Sequence, residues 1–90
     1  MKTYMIIEHF HQDKLKEIYD RFDKKGRLMP ESVHYINSWI DEKVEVCYQV
    51  MEAESREKLL EWISNWEDVT DFEIIPVIDS AKARKIALSR

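Results

Sequence analysis

One carboxyl group in the first predicted strand has the surroundings that proton transfer needs. Glu8 follows an apolar stretch, and strand alternation puts it on one face with Tyr4, Ile6 and Phe10. A carboxyl group in apolar surroundings has a raised pKa and can exchange protons. Glu8 is therefore a candidate for contact with a ligand or for proton transfer.

Four side chains of a predicted β-hairpin could share a cavity with Glu8. They lie on one face of residues 33–52 if Ile40 pairs with Glu45. These side chains are His34, Ser38, Cys47 and Gln49. Polar residues on such a face can equally form hydrogen bonds across a subunit interface or lie at the rim of a barrel. We predict ligand contacts for Glu8 and for these four residues.

Two other groups of reactive side chains have less favourable spacing. Cys47 and His34 are the only thiol and imidazole on one predicted face, but several residues of the hairpin separate them, too far for an activating hydrogen bond. His9 and His11, with Glu8 or His34, could supply metal ligands, but the first strand is predicted to end near Phe10, so the two histidines are not expected on one face. We therefore expect a buried, unreactive cysteine, surface histidines and no metal.

Composition limits the classes of partner and compartment. The 90 residues carry a net charge of -4, which argues against nucleic acids and anionic membranes as partners. One cysteine cannot form an internal disulfide, and no apolar run is long enough to span a membrane, so we expect a cytoplasmic protein. Gly26 is the only glycine, which excludes a glycine-rich phosphate loop. No cofactor is expected.

Apolar periodicity predicts the secondary structure of one domain, residues 1–90. The predicted elements are a strand at 3–10, a helix at 12–25, a hairpin at 33–52 with its break at 41–43, a helix at 55–66, a strand at 70–78 and a short helix at 81–88. Gly26 can end the first long helix, and Ser55 is the expected N-cap of the second. Pro76 requires its strand to end, to bulge or to lie at a sheet edge. Asp79 or Ser80 caps the tail helix.

The order β-α-β-β-α-β is that of a ferredoxin-like α+β domain, which has a four-stranded antiparallel sheet and two helices on one face. That arrangement leaves the second face of the sheet uncovered, although the strands are apolar on both sides. A second copy of the chain, packed face to face, would cover it. The sequence therefore predicts a homodimeric α+β barrel.

The side of the hairpin that packs beneath the helices is predicted from its apolar content. The more apolar set consists of Val33, Tyr35, Asn37, Trp39, Val46, Tyr48 and Val50. We expect this set to form the wall of the core. The mixed set, which contains the four hairpin candidates, is expected to face a cavity or a second subunit.

Five segments of the chain resemble the family called domain of unknown function 3303. They are Ile-Glu-His-Phe at 7–10, Gly-Arg-Leu-Met-Pro-Glu at 26–31, His-Tyr-Ile-Asn-Ser-Trp at 34–39, Cys-Tyr-Gln-Val-Met-Glu at 47–52 and Asp-Phe-Glu-Ile-Ile-Pro-Val at 71–77. The resemblance covers nearly the whole chain and implies a fold similar to the dimeric α+β barrels. Ser32 stands where a glycine is expected before the hairpin, which affects the turn alone. The resemblance implies no activity.

The chain lacks the residues on which three other functions of this topology depend. The third strand has no basic and stacking residues of an RNA-recognition motif, a metal chaperone needs paired cysteines, and residues 11–13 include no arginine of an acylphosphatase. Three functions therefore stand as hypotheses. The first is a homodimeric barrel that binds a small, partly apolar molecule between its sheets. The second is a cofactor-free monooxygenase-like or isomerase-like enzyme that uses Glu8 or His34 for proton transfer, and the third is a structural or regulatory interaction module that binds a partner through its tail helix.

Overall fold

The computed structural model describes residues 1–90 as an antiparallel sheet of four strands with two helices on one face and a third helix after the last strand. The elements are β1 (Lys2–Phe10), α1 (Leu15–Lys25), β2 (Val33–Ile40), β3 (Val46–Ala53), α2 (Arg56–Ile63), β4 (Thr70–Val77) and α3 (Ser80–Leu88), with a short 3-10 turn, Gln12–Lys14, before α1. The strand order is β2-β3-β1-β4. This is the ferredoxin-like arrangement, so the predicted fold class is confirmed.

The predicted first helix is confirmed, and it ends at the only glycine. Gly26 has a φ of 68°, and its N–H donates to the carbonyl of Phe22 at 2.7 Å. A residue without a Cβ adopts this conformation without strain. Lys24 and Lys25 occupy the last turn, where positive charge favours the helix dipole.

α1 has few attachments to the rest of the domain. Ile18 is its only buried side chain. The Arg21 guanidinium donates to both carboxylate oxygens of Asp68, at 2.9 and 2.8 Å, and to the carbonyl of Asn65 at 2.8 Å. The helix is therefore held by one buried side chain, by the partly buried Leu15 and by one ion pair with the loop that precedes β4.

The β2–β3 connection is organised by one carboxylate. The Asp41 side chain accepts three backbone N–H bonds at 3.3, 2.7 and 2.7 Å; the donors are Lys43, Glu45 and Val46. These bonds hold the pKa of Asp41 below its usual value, and the bond from Val46 has the largest effect. Side chains of this type commonly form such turns with their own backbone.

The loop between β2 and β3 is longer than the predicted break at 41–43, and this changes the register of the hairpin. Ile40 pairs with Cys47, not with Glu45 as predicted. Because the shift is an even number of residues, side chains near the loop keep the expected alternation. The predicted pairing is wrong, but Ser38 still shares a face with Cys47.

A β-bulge at Ile36 reverses the alternation farther along β2. Tyr35 pairs with Met51, whereas Asn37 pairs with Val50, so Ile36 is an extra residue on this strand. Side chains of β2 before and after the bulge that were predicted to share a face therefore lie on opposite faces.

Val33 is in the core as predicted, but on β3 and on β2 after the bulge the side that packs beneath the helices is not the predicted one. Cys47, Gln49 and Met51 are buried on the helix side of β3. Trp39 and Tyr48 lie on the other side and are 58% and 43% exposed. The prediction failed because both sides carry large apolar side chains, so alternation alone does not identify the covered one.

One core joins α1 and α2 to the sheet. Its buried residues are Tyr4, Ile6, Ile18, Val33, Met51, Ala53, Leu59, Trp62, Ile63, Trp66 and Val69. The α2 residues supply the largest share of the contact from the helices. α2 begins at Arg56, and Ser55 is its N-cap residue with an extended backbone, as predicted, although the Ser55 side chain makes no capping hydrogen bond. The helix also ends at Ile63, earlier than expected, and a turn carries Trp66 into the core.

The opposite side of the sheet, here called the open face, has no covering layer. Its apolar side chains are Met5, Ile7, Trp39, Val46, Tyr48, Val50, Ile75 and Val77, and its polar and charged ones include His9, His34, Glu52, Asp71 and Glu73. Apolar side chains occupy the middle of this face on β2, β3 and β1, whereas Glu73 lies beside Ile7 on β4. An exposed apolar area of this kind is typical of an interaction surface.

The last two elements follow the sequence closely. β4 pairs only with β1, so Pro76 lies on an edge strand as expected. The Asp79 carboxylate accepts the N–H of Lys82 at 2.8 Å and caps α3, all of whose residues are exposed. None of the helices combines the length and apolar character needed to cross a membrane.

Candidate functional site

A cavity of about 140 Å³ lies between the sheet and the two packed helices. Its polar lining comes from the sheet side, namely Glu8, Ser38, Cys47, Gln49 and Thr70. Its apolar lining is Phe10, Ile18, Tyr19, Phe22, Ile40, Trp62 and Trp66, and Arg27 completes the wall. The cavity thus has the mixed character of a small-molecule site, apolar walls with a few polar groups.

Strand pairing explains why distant residues meet in this cavity. Glu8 on β1 and Ile40 on β2 both pair with Cys47, so these three side chains form one row across the sheet. Ser38 and Gln49 pair in the next row. Register therefore positions the polar side of the cavity on rigid strands.

The structure brings together four of the five predicted ligand-binding residues. Glu8, Ser38, Cys47 and Gln49 line the cavity, beneath the helices and not on the uncovered side of the sheet. His34 does not join them. It is exposed on the open face, opposite Glu52, because the bulge at Ile36 separates it from Ser38 in alternation.

Glu8 is the least compensated polar group of the protein. Its side chain is on the helix side of β1, the residue is 9% exposed, and its Oε2 is buried without a hydrogen-bond partner. Burial raises the pKa of Glu8 to about 7, against smaller opposing effects of a hydrogen bond with Cys47 and the charge of Arg27. Near neutral pH the carboxyl group is therefore divided between its protonated and ionised forms.

Cys47 is a neutral thiol in this site. Burial raises its pKa to about 12, and the charge of Glu8 adds to the effect. The thiolate is the nucleophilic form of cysteine, so this side chain is unsuited to nucleophilic catalysis. His34, the only base considered for it, lies on the opposite face of the sheet. Cys47 is buried, as predicted, and lines the cavity.

Arg27 belongs to the cavity and was missed by the sequence analysis. Its backbone carbonyl accepts hydrogen bonds from the indole N–H groups of Trp62 at 3.0 Å and Trp66 at 2.9 Å. Its guanidinium lies 3.6 Å from the centre of the Tyr35 ring and 5.1 Å from that of Phe22. The residue directly after Gly26 is thus fixed from both its backbone and its side chain.

Tyr19 is the second residue that the sequence analysis did not assign to the site. It extends from α1 over the cavity, where its ring meets Phe10 edge to face at 6.4 Å between centroids. Burial, with the nearby Cys47 and Glu8, raises the pKa of its hydroxyl group. The helical spacing of Leu15, Tyr19 and Phe22 indicated a core stripe, but Tyr19 is 40% exposed and covers the cavity only in part.

The histidines at the end of β1 form separate pairs with acidic residues. The Nε2 atom of His9 lies 2.5 Å from Glu73 Oε2, and that of His11 lies 3.0 Å from Asp71 Oδ1. No group of three or more His, Cys, Asp or Glu side chains is arranged to hold a metal ion. The pairs join β1 to the edge strand β4.

Fold and site together define a ferredoxin-like α+β domain with a small cavity between its sheet and helices. The chain belongs to the family described as Domain of unknown function (DUF3303), whose model matches residues 2–89. This confirms the resemblance found in the sequence. Neither a curated protein nor a solved structure matches the chain.

Proposed function

We propose that the protein is a homodimer that binds a small, partly apolar molecule in the cavity beneath α1. The proposal of a ligand rests on one observation, which is that Glu8 Oε2 is buried at the cavity without a hydrogen-bond partner. A buried polar atom without a partner costs about 1–3 kcal/mol, and such atoms are rare in folded proteins. A ligand that hydrogen-bonds to Glu8 removes that cost, so binding accounts for a residue that otherwise destabilises the fold.

The dimensions of the cavity limit the ligand. Its volume of about 140 Å³ is close to that of an apolar cavity known to hold benzene. A single ring or a branched chain of about six to nine non-hydrogen atoms suits it. Trp62, Trp66 and Ile18 supply apolar contact, while Glu8 and Ser38 supply hydrogen bonds.

The open face supports the dimer. Strands of about eight residues, spaced about 4.8 Å apart with a rise of about 3.3 Å per residue, give this face roughly 500 Å² in projection. This projected area is of the same order as the roughly 800 Å² that each partner contributes to a standard interface. Two copies related by a two-fold axis would bury Trp39 and Tyr48 together.

Phenol is a suitable probe for the cavity because it combines one ring with one hydroxyl group. We expect it to bind with a roughly millimolar dissociation constant and to shift the backbone amide resonances of Glu8, Cys47 and Gln49 in a ¹H–¹⁵N NMR titration. The Ile40→Trp variant, whose new ring fills the cavity from a side chain that is 42% exposed, should lose this binding.

Ile78→Trp is the matched control for this titration. Ile78 is 50% exposed and does not line the cavity, so its replacement should leave the titration unchanged. If phenol shifts none of these resonances in the native protein, or if the shifts persist in Ile40→Trp, the cavity is not the binding site.

Proton transfer by Glu8 is the second candidate function. The observation that favours it is the pKa of about 7, which lets one carboxyl group act as base and as acid near neutral pH. In such an isomerase-like reaction the Glu8 carboxylate removes the α proton of a β,γ-unsaturated carbonyl compound, leaving a dienolate, and the Glu8 carboxylic acid then returns that proton to the γ carbon. His34 has no place in this scheme because it lies on the other side of the sheet.

Hydrogen–deuterium exchange of a small enolisable ketone, followed by NMR in D₂O, tests this chemistry without knowledge of the natural substrate. Glu8→Gln should reduce the protein-dependent exchange rate by about 100-fold or more, within the range of a lost general base. Glu31→Gln, at an exposed acidic residue, should not change it. Equal rates for the native protein and Glu8→Gln would remove the enzymatic candidate.

A further inference from the structure

We propose that the ligand of the cavity is a small, flat monocarboxylate whose carboxylate group binds the Arg27 guanidinium. This inference rests on the proposed ligand-binding function and specifies its chemistry. It is carried by three features of the site: a cation fixed in position, the lack of any acidic partner for that cation, and an acidic side chain that can meet the same anion in its neutral form.

The position of Arg27 is set by the surrounding fold. Two indole N–H groups, at 3.0 and 2.9 Å, hold its carbonyl oxygen, and Gly26 before it supplies a backbone turn that other residues disfavour. Because these contacts involve only its backbone, and Tyr35 and Phe22 contact only the faces of its guanidinium, the N–H donors of the side chain keep no partner in the protein. Such a preorganised cation binds a ligand with little loss of conformational entropy.

The Arg27 guanidinium has no acidic partner in the protein. Arg21, by contrast, pairs with both Glu17 and Asp68. The ion pairs of the protein do not include Arg27, and its guanidinium donates no hydrogen bond to another residue. With Tyr35 against its face at 3.6 Å, its N–H donors point outward in the plane of the group. Two such parallel donors match the two oxygens of a carboxylate.

Glu8 makes the binding of an anion depend on pH. The titratable or charged groups of the cavity wall that face it are Cys47 on β3, Tyr19 on α1 and Arg27; β2, β4 and α2 contribute only neutral lining residues. Protonated Glu8 can donate a hydrogen bond to a bound carboxylate. Ionised Glu8 repels it, so the anion and the Glu8 proton bind together.

Benzoate and benzamide form a matched pair of probes, since they have the same shape and differ in charge. At pH 6 we expect benzoate to bind the native protein at least ten times more tightly than benzamide, as measured by NMR titration. Arg27→Gln should remove this preference by weakening benzoate alone, and Arg27→Lys, which keeps the charge without the two parallel donors, should restore part of it. Arg84→Gln, on the exposed helix α3, should leave both affinities unchanged.

A pH series tests the role of Glu8 in the same experiment. Between pH 6 and pH 8 the protonated fraction of a group that titrates at about 7 falls about ten-fold, so the benzoate affinity of the native protein should fall about ten-fold as well. In Glu8→Gln this dependence should disappear. Benzoate affinity that is constant with pH in the native protein would contradict the coupling.

The outcomes separate this inference from the function on which it rests. If phenol and benzamide bind in the cavity but benzoate binds no better than benzamide, or if Arg27→Gln leaves benzoate affinity unchanged, the carboxylate inference is wrong and the cavity remains a binding site. If none of the three probes binds there, the proposed ligand-binding function is wrong.

Discussion

Glu8→Gln is expected to make the protein more stable at pH 8, by up to about 3 kcal/mol. The raised pKa of Glu8, about 7 against an ordinary value of 4.5, means that the folded state holds its proton more tightly than the unfolded state does. At about 1.36 kcal/mol per pKa unit, ionisation of the folded protein costs about 3 kcal/mol. A neutral amide of the same shape avoids that cost.

The pH window of this effect follows from the direction of the shift. Stability from the protonated carboxyl group is fully present below about pH 4.5 and is lost as pH rises through about 7. Urea denaturation of the native protein and of Glu8→Gln should therefore give similar free energies of unfolding near pH 4.5 and the largest difference above pH 7. Measurements at one fixed protein concentration keep any contribution from dimerisation equal.

Glu31→Gln is the control for loss of one negative charge, because Glu31 is exposed. It should leave the pH dependence of unfolding as it is in the native protein. Two results would show that the buried carboxyl group is compensated within the protein. In one, Glu8→Gln is less stable than the native protein at pH 8; in the other, the two free energies of unfolding differ by the same amount at every pH. A gain in stability on replacement is typical of residues kept for function.

Tyr48→Glu is expected to convert the proposed dimer into monomers. Tyr48 lies at the middle of the open face, paired with Trp39 on one side and Ile7 on the other. In a face-to-face dimer the new carboxylate would be buried without a partner, at a cost of about 3–5 kcal/mol. The dissociation constant of the dimer should rise by about 100- to 1,000-fold or more.

Sedimentation equilibrium at micromolar concentration measures this change, and Leu60→Glu is the matched control. Leu60 is 46% exposed, close to the 43% of Tyr48, but lies on α2 on the helix side of the sheet. Its replacement makes the same change of an apolar to an acidic side chain and should leave the dimer intact. A native protein that is monomeric at micromolar concentration, or equal effects of the two substitutions, would contradict dimerisation through the open face.

The sequence predicted the elements of this fold because their signals are local. The helical repeat of Leu15, Ile18 and Phe22 ends at a glycine, and the structure has α1 there. Pro76 limited β4 to an edge, and Asp79 caps α3. Each of these signals lies within the element that it controls, so no knowledge of distant contacts is needed.

The arrangement of the hairpin could not be predicted from the same signals. Ile36 is an ordinary strand residue with nothing in its type to mark a bulge, yet the bulge sends His34 and Ser38 to opposite faces. The choice of covered face was also undetermined. Apolar side chains occupy both sides of β3, and only the packing of α1 and α2 decides that Cys47 and Gln49 are inside.

Arg27 shows the same limit at the candidate site. Its place depends on Trp62 and Trp66, which bind its carbonyl from positions 35 and 39 residues away in the chain. The sequence grouped Ser38, Cys47 and Gln49 correctly because the predicted hairpin pairing differs from the true one by an even number of residues, which keeps these side chains on one face. No comparable sequence pattern marks a loop residue whose position depends on two indole groups far away in the chain.

If the cavity binds a ligand as proposed, the few attachments of α1 separate the rate of ligand entry from the strength of ligand binding. Local opening requires less free energy where few apolar contacts hold an element, and α1 has one buried side chain and the Arg21–Asp68 ion pair. The polar groups of the cavity lie instead on paired strands, and Arg27 lies outside the helix. Substitutions at Arg21 would therefore act on association and dissociation together, whereas substitutions at Glu8 or Arg27 would act on the equilibrium.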